Sequence, residues 1–216
     1  MSTWAKIKYL TSEVKATLVD DIRYLLIFVA WSSTSLIMII ASSFMVLYIN
    51  HYLETGVLQD DEEVTTLFTR IITVSFMTSI VVMFLVAKML NKVSLKIIFP
   101  CVFIARALFC LELRFVKDPR SLYCQIAIGG MITISVAQWI MIYTMFYRSL
   151  PGHIRGIMVS IFHTSNSISA IPYVLVAGKL HDKIGHASPF TLVSAYDFTV
   201  LFLFLVLLCC GKLKNL

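Results

Sequence analysis

The feature that most constrains the fold of this chain is a series of long apolar segments joined by short polar turns. Six can be delimited, at residues 24–49, 67–90, 97–113, 122–147, 157–180 and 190–210. Each falls in or above the range of roughly 17–25 apolar residues that an α-helix needs to cross a bilayer. The sequence therefore predicts an all-α membrane protein with six transmembrane helices.

The composition supports the membrane class. Hydrophobic residues make up 59% of the chain and charged residues only 14%, whereas about a quarter of the residues in a soluble domain are charged. Nothing resembles a nucleic-acid-binding motif, so the net charge of +6 is assigned to the flanks of the membrane spans. The predicted surroundings are a lipid bilayer, and no nucleic acid is expected as a partner.

Lysine and arginine are concentrated on the side of the predicted bundle that carries the N-terminus. They occur before the first span, in the turns at 88–96 and 148–155 and in the tail, whereas the acidic loop at 50–66 contains neither. Basic residues are retained on the inner side of a membrane, so both termini are predicted to lie inside, in the cytosol or in an organelle matrix. The organelle is left open, and the mitochondrial inner membrane is one that fits.

The chain is predicted to divide into three parts. Residues 1–22 are mixed and mildly amphipathic, which indicates an N-terminal interfacial helix lying on the membrane. Residues 23–211 form the six-helix transmembrane domain, and 212–216 form a basic tail. The first apolar segment is longer than the apolar region of a signal peptide, about 7–15 residues, so we expect no cleaved signal peptide.

Two charged residues lie well inside apolar segments. Arg106 is about midway along the third segment, and Asp197 is roughly a third of the way into the sixth. A charge at mid-bilayer is costly and usually faces a cavity or a partner, and the two residues are predicted at similar depths. Arg106 either binds an anionic solute, with Asp197 as its counter-ion or proton-coupling group, or the two form a packing salt bridge.

Uncharged polar residues mark the fourth and fifth segments. Gln138 lies in the middle of the fourth, while His163 and Asn166 are three residues apart in the fifth and so share one broad helix face. These side chains either bind a solute or form hydrogen bonds that hold the helices together. Tyr48, Tyr52, Tyr143 and Tyr147 lie near segment ends, as interface anchors do, and Trp139 is the exception.

Enzyme chemistry is not predicted. The chain contains no nucleophile elbow, phosphate-binding loop, dinucleotide fingerprint or pair of metal ligands at i, i+4. The five cysteines show no paired spacing. We therefore expect no catalytic residues, no metal and no cofactor.

Three short motifs resemble the C-terminal half of a major facilitator superfamily transporter. They are the turn from Leu150-Pro151 to Arg155-Gly156, the stretch Ala170-Ile171-Pro172 followed by Gly178 to Gly185, and the basic turn from Ala87 to Lys96. The resemblance implies half of a major-facilitator bundle. It also implies a gating or turn role for a set of residues at the span ends: Asn91, Lys92, Arg155, Gly156, Gly178 and Asp182.

The chain departs from this family in two respects. Family members have two six-helix halves with the substrate site between them, and this chain supplies one. In the basic turn, Asn91 stands where the family has an acid, and Lys92 where it has an arginine. Both departures bear on whether the chain transports a solute.

Two functions follow. In the first, the protein is a non-enzymatic, transporter-derived accessory subunit of a larger membrane assembly such as a respiratory complex, and its polar groups pair internally. In the second, it is a half-size transporter that moves a small polar or anionic solute as a dimer. Its partners are accordingly other membrane subunits or a second copy of itself, and whether it has a small-molecule substrate is left open. The half-size transporter predicts a water-accessible cavity lined by Arg106, Gln138, His163, Asn166 and Asp197.

Overall fold

The computed structural model describes residues 9, 12–14, 22–150 and 152–213, and in these ranges the chain is helical. Its helices are α1 Ile22–Glu54, α2 Asp61–Met89, α3 Leu95–Glu112, α4 Leu122–Ser149, α5 Arg155–Ile184 and α6 Ser188–Cys209, with a short 3-10 turn at Leu113–Phe115. The predicted all-α class is therefore confirmed for the described ranges. Most of the predicted interfacial segment, and residues 214–216 of the tail, lie outside them.

Four of these helices are long and apolar enough to cross a membrane by length and composition, namely α1, α2, α4 and α6. This supports a multi-pass membrane protein. The helix α3 has only 18 residues and carries three charges, Lys96, Arg106 and Glu112. In α5, the polar run 163–167 interrupts an otherwise apolar helix.

Long-range hydrogen bonds show that α1 and α3 run in the same direction and that α4 runs opposite to them. At one end, the hydroxyl of Tyr24 at the start of α1 donates to the carbonyl of Ser149 at the end of α4, over 2.7 Å. At the other end, the hydroxyl of Tyr48 donates to the carbonyl of Leu113, just after α3, also over 2.7 Å. We call these the N-terminal end and the far end of the bundle.

The helix pairing has an internal two-fold pattern. Helix α1 packs against α5 and α6, helix α4 packs against α2 and α3, and the pairs α1–α4 and α3–α6 are also in contact. Exchanging the first three helices with the last three maps α1–α5 onto α2–α4 and α1–α6 onto α3–α4, and it maps α1–α4 and α3–α6 onto themselves. Contacts of α1 with α2 and of α5 with α6 complete the bundle.

The acidic loop is shorter than the sequence suggested. The loop was predicted over 50–66, but α1 continues to Glu54 and α2 begins at Asp61. The reason is an N-cap, because the side chain of Asp60 accepts a hydrogen bond of 2.8 Å from the backbone N–H of Glu63. Carboxylates in the first turn of α2 further stabilise the positive end of its helix dipole.

The prediction that Tyr48 and Tyr52 are anchors at the membrane interface is wrong. Tyr48 and Tyr52 are buried, and both hydroxyls donate to backbone carbonyls beyond α3: Tyr48 to Leu113 and Tyr52 to Val116, over 2.9 Å. A buried tyrosine hydroxyl needs such a partner. These residues therefore tie the end of α1 to the segment after α3.

Candidate functional site

A layer of polar side chains divides the apolar core at mid-depth. On α3, Arg106 lies between Phe103, in the apolar cluster at the N-terminal end, and Cys110, in the cluster at the far end. Buried polar side chains of α1, α5 and α6 also lie at this transition, and on α4 Gln138 is buried next to it, beside Ala137 of the first cluster. We call this set the polar layer, and it consists of Ser33 on α1, Arg106 on α3, Gln138 on α4, Asn166 on α5 and Asp197 on α6.

The charged pair at the centre of the polar layer is closed. The Nε of Arg106 donates to Oδ2 of Asp197 over 2.7 Å, and its Nη2 donates to Oδ1 of Asp197 and to the hydroxyl of Ser33. That hydroxyl in turn donates to Oδ1 of Asp197. The side chains of Arg106 and Asp197 are both 0% exposed. The structure therefore confirms that Arg106 and Asp197 pair with each other, which was one of the two possibilities that the sequence left open.

This geometry satisfies most of what a buried ion pair requires. The guanidinium and the carboxylate meet as a two-pronged fork, which is the strong form of this contact. Because both charges are removed from water, the loss of either partner would leave an uncompensated charge in the core. The triad Ser33–Arg106–Asp197 thus joins α1, α3 and α6 at mid-depth.

Some polar atoms in or beside the layer have no hydrogen-bond partner in the part of the chain that the structure describes. Nη1 of Arg106, both amide atoms of Gln138 and the hydroxyl of Ser194 are buried without a hydrogen-bond partner among the described residues. Ser194 lies three residues before Asp197 and so on the same side of α6. The layer therefore retains donors and acceptors beyond those of the closed triad.

Asn166 links α5 to α1. Its Oδ1 accepts a hydrogen bond of 2.8 Å from the hydroxyl of Ser32, and its Nδ2 donates to the hydroxyl of Ser35 over 3.2 Å. Interhelical contacts of this kind stabilise membrane bundles by roughly 0.6–2 kcal/mol each. The packing interpretation of Asn166 therefore fits this geometry.

His163 lies apart from the polar layer. It is exposed, and its Nε2 shares a hydrogen bond of 3.0 Å with the hydroxyl of Tyr143 on α4. Its ring also meets the edge of the Trp31 ring, with centroids 5.2 Å apart. Of the five polar residues singled out from sequence, the structure thus pairs Arg106 with Asp197 and buries Gln138 and Asn166, whereas it places His163 beside an aromatic surface.

That surface is an aromatic ladder on the outward side of α4. Trp139, Tyr143 and Tyr147 follow one another at intervals of four residues, with ring centroids 4.7 Å and 5.9 Å apart. They line an open groove of about 410 Å³ that ends at Arg148. Sequence reasoning treated the two tyrosines as interface anchors and missed this arrangement, although the i, i+4, i+8 spacing was visible.

The residues of the family-like turns are placed at the bundle ends. Asn91 accepts a hydrogen bond of 3.3 Å from Nη2 of Arg148, so the α2–α3 turn contacts the end of α4, whereas Lys92 is exposed. Arg155 donates to the carbonyl of Leu150 over 3.0 Å. Asp182 is 81% exposed and lies 3.5 Å from the ring nitrogen of its neighbour His181.

Gly156 and Gly178 leave open space beside α5. Among the described residues, a methyl group added at either position would meet no atom within 4 Å outside its own stretch of helix. They belong to one face of α5 that also includes Ser160, Thr164, Ser167 and Ile171, at intervals of three, four or seven residues. We call this set the outer stripe of α5. Its members are exposed, except that Gly178 is half-buried, and the buried residues of α5 lie on the opposite face.

A histidine cluster closes the far end. The rings of His51, at the end of α1, and His186, just before α6, stack with centroids 3.9 Å apart. Burial, together with repulsion from His51 and His181, lowers the pKa of His186 to about 4. His186 is therefore neutral in the folded protein at neutral pH.

This cluster predicts a loss of stability in acid. Between about pH 6.5, the ordinary histidine pKa, and about pH 4, the unfolded chain binds a proton at His186 that the folded chain does not, so stability falls as pH falls. We expect Tm, followed by circular dichroism, to drop across this window. His186→Phe keeps an aromatic ring and should reduce the fall in Tm. His153→Gln changes an exposed histidine and should leave the fall in Tm as large as in the wild type. An equal drop in the wild type and His186→Phe would contradict this assignment.

Among the described residues, no three or more histidine, cysteine, aspartate and glutamate side chains gather in a way that could hold a metal ion. No family model, curated protein or solved structure matches the chain.

Proposed function

We propose that the protein is a non-enzymatic, transporter-derived accessory subunit of a larger membrane assembly, held to a neighbouring transmembrane helix through the outer stripe of α5. We further propose that all six helices span the bilayer, with both termini inside. The two-fold exchange between the first and last three helices supports a major-facilitator-type half, because each half of those transporters contains two three-helix repeats.

The observation that carries this proposal is the chemistry of the outer stripe. Faces that meet lipid are covered by large apolar side chains, as on α2, where Phe84 is 75% exposed, and on α6, where Phe202 is 69% exposed. The outer stripe instead presents glycine and hydroxyl groups from Gly156 to Ser167 and a further glycine at Gly178, with Ile171 between them. Small residues let the backbones of two membrane helices approach closely, and hydroxyls bond across the contact. A partner helix fits this stripe better than lipid does.

The polar layer supports a structural role. Arg106, Gln138 and Asp197 are each fully buried and Asn166 is 6% exposed, so these four residues do not line a water-accessible cavity in the single chain. The charges of Arg106 and Asp197 neutralise each other, and Asn166 bonds to α1. A bundle whose charges are closed internally needs no solute to hold them.

A half-size transporter is the second candidate, and one observation favours it. Nη1 of Arg106, the amide of Gln138 and the hydroxyl of Ser194 are buried without partners among the described residues. Buried polar groups usually have partners, and a polar solute that enters the layer in another conformation would supply them.

Purification of the native protein in mild detergent separates the two functions. The accessory role predicts that the chain co-migrates with other membrane proteins in one stable, large complex. A homodimer that takes up solute after reconstitution into vesicles would overturn the accessory role in favour of the half-size transporter.

A further inference from the structure

The aromatic ladder on α4 has the form of a ligand-binding surface and not of a core. Trp139 is 50% exposed and Tyr147 is 43% exposed, although both lie on a helix that also supplies many buried residues. From Trp139 to Tyr147 the ladder is about 12 Å long, at 1.5 Å per residue. It runs from mid-depth to the N-terminal end of the bundle.

Two arginines stand at that end of the ladder. Arg148 lines the groove, and its hydrogen bond to Asn91 occupies one of its five N–H donors. The guanidinium of Arg155 lies over the Tyr147 ring, 5.4 Å from its centroid, and its Nε is buried without a partner among the described residues. The groove is therefore aromatic along its length and cationic at one end.

We propose that this groove binds an aromatic carboxylate, with its ring against Trp139 and Tyr143 and its carboxylate at Arg148. The proposal goes beyond the accessory role, because it concerns a small molecule and not a partner chain. The aromatic rings offer faces and edges to a flat ligand, and the guanidinium fork matches a carboxylate.

A planar anion fits this surface better than an acyl chain. An acyl chain needs only apolar contact, yet the groove ends at the guanidinium of Arg148, with the guanidinium of Arg155 over the neighbouring Tyr147 ring. The positive rim selects an anion by charge complementarity.

The test measures binding of 2-naphthoate to the full chain, with any co-purifying subunits, in phosphatidylcholine nanodiscs. Three comparators separate its features: 2-naphthalenemethanol has the rings without the charge, cyclohexanecarboxylate has the charge without the aromatic ring, and decanoate is an acyl carboxylate. We expect saturable binding of 2-naphthoate, with each comparator weaker by on the order of tenfold. Equal binding of decanoate, or loss of 2-naphthoate binding when anionic lipid is added, would assign the groove to lipid and overturn the proposal.

Matched variants locate the site. Trp139→Ala and Arg148→Gln should each weaken binding by on the order of tenfold, while Phe202→Ala on α6 and Arg114→Gln at the far end should leave it unchanged. All four positions are exposed, so the variants retain the bundle. The proposal is wrong if the wild type shows no saturable binding, or if the α4 variants bind as well as the controls.

Discussion

Arg106→Ala is expected to prevent the protein from accumulating in its membrane. The substitution leaves the carboxylate of Asp197 in the core with the hydroxyl of Ser33 as its one remaining partner among the described residues. Breaking a buried ion pair by removing one member costs about 3–5 kcal/mol, a large share of the about 5–15 kcal/mol that holds a typical folded domain together. Steady-state level and thermal unfolding of the purified chain measure this loss.

A double variant tests whether the loss comes from the uncompensated charge. Replacing a buried pair by apolar residues of similar size is often neutral or stabilising, so Arg106→Met combined with Asp197→Leu should restore the folded protein. Arg120→Ala serves as a control, because Arg120 pairs with Glu63 at an exposed position and its removal should change little. If Arg106→Ala is as stable as the wild type, the triad is not a structural tie. If the double variant folds and assembles normally but loses solute uptake, the pair belongs to a transport site.

Thr164→Leu is expected to release the protein from its assembly while leaving its own fold intact. Thr164 is exposed in the middle of the outer stripe, where a partner backbone would approach closely, and a larger side chain would hold the two helices apart. We expect the complex to dissociate on native gels while the Tm of the isolated chain is unchanged.

Thr199→Leu is the matched control for this variant. Thr199 is an exposed threonine at a similar depth on α6, on a side of the bundle that also exposes Phe198 and Phe202. The same change of side chain there should leave the complex intact. An intact complex in both variants would show that the outer stripe is not the contact.

The sequence predicted the helices well because membrane spans are set by apolar length. It also placed Arg106 and Asp197 at similar depths, since each residue adds a fixed rise along its helix. It did not identify Ser33 as the third member of the triad. Serine and threonine fill positions 32–35 of α1, and the sequence does not give the rotation of that helix, which decides which hydroxyl faces α3.

The separation of His163 from Asn166 has a similar cause. A spacing of three residues places two side chains about 60° apart around a helix, so both can belong to one broad face. The boundary between the buried and exposed faces of α5 falls between them. Asn166 forms a hydrogen bond with Ser32 on α1, whereas His163 forms one with Tyr143 on α4. Such a boundary depends on how α5 is rotated against α1 and α4, which only the packed bundle determines.

Site-specific photo-crosslinking in native membranes tests the central claim most directly. A photoreactive amino acid is placed at Ser167, in the outer stripe, and in a second preparation at Thr199 on α6. The accessory role predicts a protein adduct of defined mass from position 167, formed with a different polypeptide, and only lipid adducts from position 199. An adduct with a second copy of the chain would instead favour the half-size transporter. Lipid adducts alone from both positions would contradict the claim that a partner helix covers α5.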